Sequence, residues 1–440
     1  MTQEKKSSRP QLLQAMIDAF RQADLRRKIL ITLGLLLIFR LVAHVPVPGA
    51  DAEAMKGFLE SGTGAGALFG FVDLFSGGAM RQLSVAAMGV YPYITAVIVM
   101  QLLVPVIPRL QAIAREGEAG RAKINLYTHW LTVPLAMLQA YGQLILLQNN
   151  GIVSGIGLSG PDILRTFAMM FTMTAGTMFL VWLGELITEY GIGNGVSLII
   201  FGGIVATLPE LAGKGRLEDW WGLVLFAVLA LVILVSIVIF TEAHRRIPVQ
   251  YARSLYRGGR VYRQSGGTHI PLRVNSAGMI PVIFAMALLT FPGVIASFFA
   301  DTGGTNFAST IVNLFSQGSW FYWLAYFVLV LFFTFFYAMI IFQQQNLGET
   351  LQRQGAFIPG IRPGKTTQQY LNRVLTRVTW GGALFLAIVA ISPYIIGMIS
   401  GVKTLALPAI GMIIVVGVAL DTMRQLEAQL MMRRYEGFIK

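Results

Sequence analysis

Cysteine is absent from all 440 residues, which excludes disulfides, thiolate metal sites and redox thiols together. Histidine is nearly as scarce: His44, His129, His244 and His269 are scattered without ligand spacing, so no metal site is expected. Charge is thin as well, at 12% of residues against 55% hydrophobic, and the mean hydropathy is +0.65. That balance excludes an ordinary soluble domain, and the length excludes a single-span anchor. What remains is a polytopic helical membrane protein. Acidic residues are the scarcer sign, 21 against 34 Lys and Arg, for a formal net charge of +13. In a soluble chain such an excess points to nucleic acid; in a membrane protein it points to Lys and Arg gathered in cytoplasmic loops. The polar, amphipathic first turns give no sign of a cleavable signal peptide.

Gln11 to Lys28 sets Leu12, Leu13, Met16, Ile17 and Phe20 on one helical face, with Arg21, Arg26 and Arg27 around it. This predicts a helix lying on the cytoplasmic membrane surface, or an ordinary docked helix. Apolar runs near the spanning length of about 20 residues follow at Ile29–Val45, Leu83–Val104, Leu126–Leu147, Ile163–Ile187, Val196–Leu211, Trp221–Phe240, Ser276–Phe299, Trp320–Phe342, Val378–Met398 and Ala406–Leu420. Of the 34 Lys and Arg, 27 fall before the first run, between the second and third, sixth and seventh, eighth and ninth, or after the tenth. The bias places both termini and those loops in the cytoplasm, as an even number of crossings requires. Ten runs divide five and five, which inverts the second half relative to the first, an arrangement that recurs among transporters and related proteins. The expected organisation is an N-terminal segment over 1–28, a first half over 29–212, a second half over 213–420 and a cytoplasmic tail over 421–440. Lys214–Asp219 is the natural hinge between the halves.

Ahead of the second run the chain is broken. Leu68, Phe69, Phe71, Val72, Leu74 and Phe75 are interrupted by Gly66 and Gly70 and then by Ser76-Gly77-Gly78. The run that resumes after Arg81 is itself broken by Gly89 and Pro92. Non-spanning backbone is tolerated in a membrane only where protein or a water-filled cavity surrounds it, so this segment is expected to lie inside something the chain encloses. Asp73, within it, is either a solvated turn residue or a functional one. Arg40, Glu185 and Glu189 lie toward span ends, and no chain of ionisable residues crosses mid-membrane, which weakens an ion-coupled transporter reading. In ELITEYGIGNG, 185–195, the glycines allow a tight reversal and Asn194 caps the next helix.

Two loops exceed what a connection needs. In 242–275 the runs Arg260–Gln264 and His269–Val274 flank Gly266-Gly267 and read as a hairpin. The loop 343–377 carries GAFIPGIRPGKTTQQYLNRVLTR, whose Gly360-Ile-Arg-Pro-Gly-Lys-Thr mimics a phosphate-binding loop. Three residues stand between its glycines where four are needed, Pro359 precedes it, and no buried strand is expected before it. No ATP hydrolysis and no cofactor are therefore expected, and the basic loops read as docking surfaces. The pairs Val90 and Ile94, and Val196 and Ile200, share helix faces at i,i+4, but such spacing singles nothing out. From these residues a channel and a small-solute secondary transporter with inverted repeats both stand. The missing mid-membrane charges and the oversized basic loops favour the channel.

FSGG…AMGVYPYITAVIVMQLL, ITEYGIGNGVSLIIF, RRIPVQYA…GRVY…THIPLRVN, AGMIP, GAFIPGIRPG and IIVVGVALD, in that order along nearly the whole chain, resemble the SecY family, large subunits of the bacterial Sec protein-conducting channel. The resemblance implies an all-α fold of ten transmembrane helices in two inverted halves around an hourglass pore. A re-entrant plug half-helix at about 66–80 (Leu68, Phe69, Phe71, Asp73, Leu74, Phe75, Gly77, Gly78) would close that pore from outside. The implied pore ring is Val90, Ile94, Val196, Ile200, Ile283 and Ile414, whose stiff apolar side chains exclude water and ions yet yield to a passing chain. A lateral gate is implied between spans two and three on one side and seven and eight on the other. Docking of the SecA motor ATPase or the ribosome would fall to Arg245, Arg246, Arg257, Arg260, Arg362 and Lys365, with nucleic acid met only as ribosomal RNA. The other implied partners are the small SecE and SecG subunits, signal sequences, nascent polypeptides and lipid. The implied function is not enzymatic: unfolded secretory polypeptides cross the bacterial cytoplasmic membrane, and transmembrane segments leave sideways into lipid. Two positions depart from the family pattern. Tyr91 follows Val90 where relatives often have Ile-Met, and is expected to narrow the pore or hydrogen-bond across it. Gly259 precedes Arg260 where some relatives pair arginines, which weakens ribosome contact unless Arg257 compensates.

Overall fold

The computed structural model describes residues 20, 22–48, 52–60, 73, 76–114, 116–157, 160–215, 220–251, 254–257, 260–263, 267–275, 278, 280–297, 307–315, 319–345, 347–400 and 406–436. In chain order its helices and strands are α1 (Ala23–Val42), α2 (Ala52–Glu60), α3 (Tyr91–Val106), α4 (Pro108–Ala114), α5 (Glu118–Asn149), α6 (Ile163–Tyr190), α7 (Gly195–Gly215), α8 (Trp220–Glu242), β1 (His244–Tyr251), β2 (Ser254–Arg257), β3 (Arg260–Arg263), β4 (Gly267–Arg273), α9 (Ile280–Ser297), α10 (Phe307–Leu314), α11 (Trp320–Gln345), α12 (Leu347–Arg353), β5 (Ala356–Phe357), α13 (Lys365–Ser400) and α14 (Ala406–Glu436). A helix lies over each of the ten apolar runs. Among the described residues four helical stretches, over α5, α6, α11 with α12, and α13, are long and apolar enough to cross a membrane, and the bent pair α3–α4 makes a fifth if taken as one span. Shorter apolar stretches of 10–17 residues lie in α7, α8 and α9. The chain forms two compact units, residues 1–218 with 290–319 and 407–440, and residues 219–289 with 320–406.

In the first unit α6 is the central post, with α1, α5 and α7 packed on it. Its glycines explain how. A Cβ on Gly176 would sit 1.9 Å from the Val85 carbonyl oxygen, and one on Gly195 would sit 1.8 Å from that of Gly184. Lipid tails are as apolar as leucine, so helices in a membrane gain from backbones that touch, and small residues permit this. The reversal from α6 to α7 is fixed by local hydrogen bonds. Gly195 N–H donates to Thr188 Oγ1 at 2.9 Å and Ser197 N–H to Asn194 Oδ1 at 3.1 Å, so Asn194 caps α7 as predicted. Ile192 N–H donates to Thr32 Oγ1 at 3.1 Å and ties the turn to α1. Leu25, Ile192 and Leu426 then form a small core between the turn, α1 and α14. Of the N-terminal helix predicted over 11–28, residues 11–19 and 21 lie outside the described residues, and Ala23–Lys28 are the first turns of α1. α3 ends at Ile107, whose backbone is extended before Pro108, and α4 leaves at 102°. α5, 32 residues long, spans about 48 Å and outruns a hydrocarbon core of about 30 Å. In its first two turns, ahead of the apolar run, Lys123 Nζ lies 2.9 Å from Glu116, whose hydrogen bond and then charge raise the ammonium pKa.

In the second unit α8 and α11 pack on α13. Phe240 and Phe385 stack with ring centroids 3.7 Å apart, joining α8 to α13. The two long loops form one body. β1 pairs antiparallel with β4, from His244↔Arg273 to Gln250↔Gly267, and on its other edge with β5 at Gln250↔Phe357 and Tyr251↔Ala356. Ile247 and Val249 alternate inward while Arg246, Pro248 and Gln250 face out. The inward face joins Leu272, Phe342, Leu351, Ile358, Leu371 and Val374 in one core shared by both loops and the ends of α11 and α13. The hairpin predicted about Gly266-Gly267 does not form. β3 pairs with β2 instead, with Gly258 and Gly259 between them in the sequence. The physical reason is burial: β4 offers Leu272 and Ile270 to the apolar face of β1, whereas Arg260–Arg263 has no such face to offer.

Candidate functional site

The stretch ahead of α3 is built from short-range polar contacts. Asp73 is 3% exposed. Its carboxylate accepts from Arg81 twice, from Nε at 2.6 Å and from the backbone N–H at 3.2 Å. The Asp73 carbonyl accepts Gly78 N–H at 2.9 Å and Ser76 Oγ–H at 3.2 Å, while Ser76 Oγ accepts Met80 N–H at 3.3 Å. Arg40, in the last turn of α1, donates to the Gly77 carbonyl. Gly77, at φ +69°, lies against α7 so closely that a Cβ would stand 2.6 Å from Gly203 Cα; both facts demand glycine. A 3₁₀ turn over Met80–Gln82 leads to Leu83 at φ +41°, a conformation few side chains adopt. Leu83 is held by its N–H to the Met80 carbonyl at 3.0 Å and by Val47 N–H, which donates to its carbonyl at 2.8 Å. Val85 N–H donates to Val45 at 2.8 Å.

Asp73 is therefore a paired, buried residue and not a solvated turn. Of the predicted plug residues, Asp73, Gly77 and Gly78 sit in this knot, and Leu68, Phe69, Phe71, Leu74 and Phe75 lie outside the described residues. Sequence reasoning missed Arg40 and Arg81 as partners, reading Arg40 only as a span-end charge. The signal was available: one acid and one base eight residues apart, in a stretch with no other charge.

Gly89, at φ +56°, and Pro92 in the first helical turn start α3 at Tyr91, well after the apolar run begins. Val90 is the residue on which that helix opens, its carbonyl accepting Ile94 N–H at 3.1 Å. Five of the six predicted ring residues belong to the first unit. Val90, Ile94, Ile200 and Ile414 are buried, and Val196 is half-buried against Gly184. Ile283, on α9, belongs to the second unit and is buried there. Tyr91 is half-buried at the first position of α3. Among the described residues Asp73 is the only buried charged group.

The predicted docking residues lie on the second unit. Arg245 and Arg246 are exposed at the start of β1, and Arg246 Nε donates to His244 Nε2 at 3.1 Å. Arg257 and Arg260 stand opposite each other in the β2–β3 register, while Gly259 lies outside the described residues. Arg362 is exposed at the tip between β5 and α13, and Lys365 is exposed at the first position of α13. The tip is stiff. Ile361 N–H donates to Ile358 at 3.0 Å, Thr367 Oγ1 to the Arg362 carbonyl at 2.8 Å, and Gln368 N–H to Gly364 at 3.1 Å. Among the described residues nothing holds the Arg362 guanidinium itself. A strand precedes the tip, but β5 is two residues at an antiparallel edge, unlike the buried strand of a phosphate-binding loop.

The fold and these positions can be set beside known proteins. A family model for SecY matches residues 84–423. The protein translocase subunit SecY of Streptomyces lividans is 43% identical over 453 residues, covering 98% of this chain and 100% of the relative. That of Mycobacterium tuberculosis is 41% identical over 448 residues, with the same coverage. Among solved structures, a protein-conducting channel aligns at a TM-score of 0.61 and 17% identity, over 92% of each chain. Sec61 from the canine ribosome-channel complex aligns at 0.58 and 16%, also over 92% of each. These two share the mostly helical channel fold, and the family model and bacterial relatives extend the likeness to sequence: the chain belongs to the SecY family.

Proposed function

We propose that the chain is the pore-forming subunit of a bacterial protein translocase, through which unfolded secretory polypeptides cross the cytoplasmic membrane and from which apolar segments leave sideways into lipid. The observation that carries this reading is the stretch 77–90, irregular apart from the 3₁₀ turn over Met80–Gln82 and largely buried, which leads into a set of buried β-branched side chains. Backbone of that kind survives at membrane depth only against protein or a water-filled cavity, and an apolar constriction gates by excluding water. The naming of the bacterial relatives as protein translocase subunits supports it. On this reading all ten apolar runs cross, both termini are cytoplasmic, and the segment about 66–80 plugs the pore. Val90, Ile94, Val196, Ile200 and Ile414 are the first unit's share of the ring, with Ile283 assigned to the second. Arg245, Arg246, Arg257, Arg260, Arg362 and Lys365 dock a motor of the SecA kind or a ribosome, and small SecE and SecG subunits complete the assembly. The stiff tip with its exposed Arg362 supports docking, as does the ribosome complex from which one structural neighbour comes. The energy comes from the partner.

Planar-bilayer conductance of the purified protein tests the reading. Deletion of residues 66–80 is expected to leave a folded protein that leaks ions. An electrically silent deletion would overturn the plug, and saturable uptake of a small solute would support a transporter instead.

A further inference from the structure

The first turn of α13 holds a hydrogen bond that does not belong to the helix. Several threonines of this chain turn their hydroxyl to the carbonyl four residues earlier: Thr128 to Ile124, Thr132 to Thr128, Thr174 to Met170, Thr334 to Val330 and Thr376 to Asn372, at 2.7–2.9 Å. Such bonds stay within one helix. Thr367, the third residue of α13 and 2% exposed, reaches five residues back, and its hydroxyl donates at 2.8 Å to the carbonyl of Arg362, out on the loop tip. Arg362 is confined by its neighbours as well. Pro363 disfavours helical backbone at the residue before it, and Gly360 and Gly364, at φ +82° and +98°, turn the chain on either side. We propose that Thr367 is a positioning residue for partner docking: by holding the Arg362 carbonyl it fixes the backbone from which that guanidinium projects. The proposal rests on the docking reading of Arg362 and deepens it.

The burial pattern says why a threonine serves. Leu371 and Val374, four and seven residues on, share its face of α13 and lie in the core common to the two long loops. The hydroxyl therefore ties the exposed tip to that core. A docking side chain whose backbone is already fixed loses less freedom on binding, and the saving appears as affinity. Valine comes close to the shape of threonine without its hydroxyl. Thr367→Val keeps the buried apolar surface and leaves the Arg362 carbonyl to water at the exposed tip, a small cost to the fold. Affinity should fall while stability hardly moves.

The test titrates a SecA-type motor ATPase against vesicles that hold the full chain with its membrane partners, and reads transport of a secretory precursor. Thr367→Val is expected to raise the half-saturating motor concentration about fivefold, with maximal rate and thermal midpoint unchanged. Thr367→Ser, which keeps the hydroxyl, should match wild type in all three. Thr376→Val, which removes an ordinary bond to the carbonyl four back in the same helix, is the control and should change none. Arg362→Glu should transport at no motor concentration. An inactive Arg362→Glu beside a Thr367→Val that titrates like wild type overturns the positioning role and leaves docking intact. So does a loss that falls on maximal rate, or one that Thr376→Val shares. A fully active Arg362→Glu overturns the docking reading and the positioning role with it. Where Thr367→Val fails to accumulate, serine decides: wild-type titration supports the role of the hydroxyl, and a raised half-saturation overturns it.

Discussion

A seal made of single side chains succeeds or fails one residue at a time. Ile94 and Ile414 are buried, apolar, and stiff at χ1. Asparagine at either position adds hydrogen-bonding groups and removes apolar surface, so water should enter the proposed constriction more readily. Ile94→Asn and Ile414→Asn are each expected to raise resting conductance and to let passengers with weak signal sequences through. Ile233→Asn, on α8, should do neither, its cost falling on insertion and stability. Secretion of a weak-signal reporter, scored beside conductance, separates the cases, and equal leak from ring and control would mean that these residues share no constriction. At this scale the sequence was only partly legible. The ring positions came from family likeness, since i,i+4 pairs of Val and Ile are common on any membrane helix. Asp73 was visibly odd and Arg81 was the one base near it, but an ion pair across eight residues of irregular backbone follows no period, so only the isolation of the two charges pointed to their pairing.

Helices and turns were far more legible, for reasons that are local. Some twenty consecutive apolar residues have few places to go other than a membrane, and a cap is decided within three residues of itself, as Asn194 shows. What escaped was decided by distant chain. The strand partner of β4 was set by the buried face of β1, and register follows whichever pairing buries apolar side chains. The late start of α3 depended on Gly89 taking positive φ. The α6–α7 reversal offers a graded test. Asn194→Ala should lower stability by about 1 kcal/mol through loss of the cap. Gly195→Ala places a Cβ 1.8 Å from the Gly184 carbonyl oxygen, so backbone must shift, at a cost of about 1–3 kcal/mol or more. Thermal midpoints in detergent should rank wild type above Asn194→Ala and that above Gly195→Ala; the reverse order would mean that the glycine contact does not hold the two helices.

For the molecule as a whole, charge bias and the count of apolar runs were open to reading, whereas the union of the two long loops was not, because nothing in either loop names the other. Their shared core makes Arg362 part of a rigid platform with Arg245 and Arg246, and a fixed guanidinium can grip a carboxylate or phosphate with two bonds at once. Arg362→Glu is expected to abolish partner-driven translocation while abundance and membrane insertion stay normal, checked by transport into vesicles beside immunoblots of the membrane fraction. A fully active variant, or one that is merely unstable, would count against docking. The pairing of β1 with β5 also sets a clock on the chain's own synthesis. β1 is complete at Tyr251, but Ala356, which covers its second edge, follows roughly a hundred residues later, some 5 to 20 s at ordinary elongation rates. During that interval the edge lies open, and α11 has to enter the membrane before it can close. A newborn chain therefore completes this sheet only after eight of its ten apolar runs have been made, and on the proposed docking role a half-finished channel has nowhere for a partner to start work.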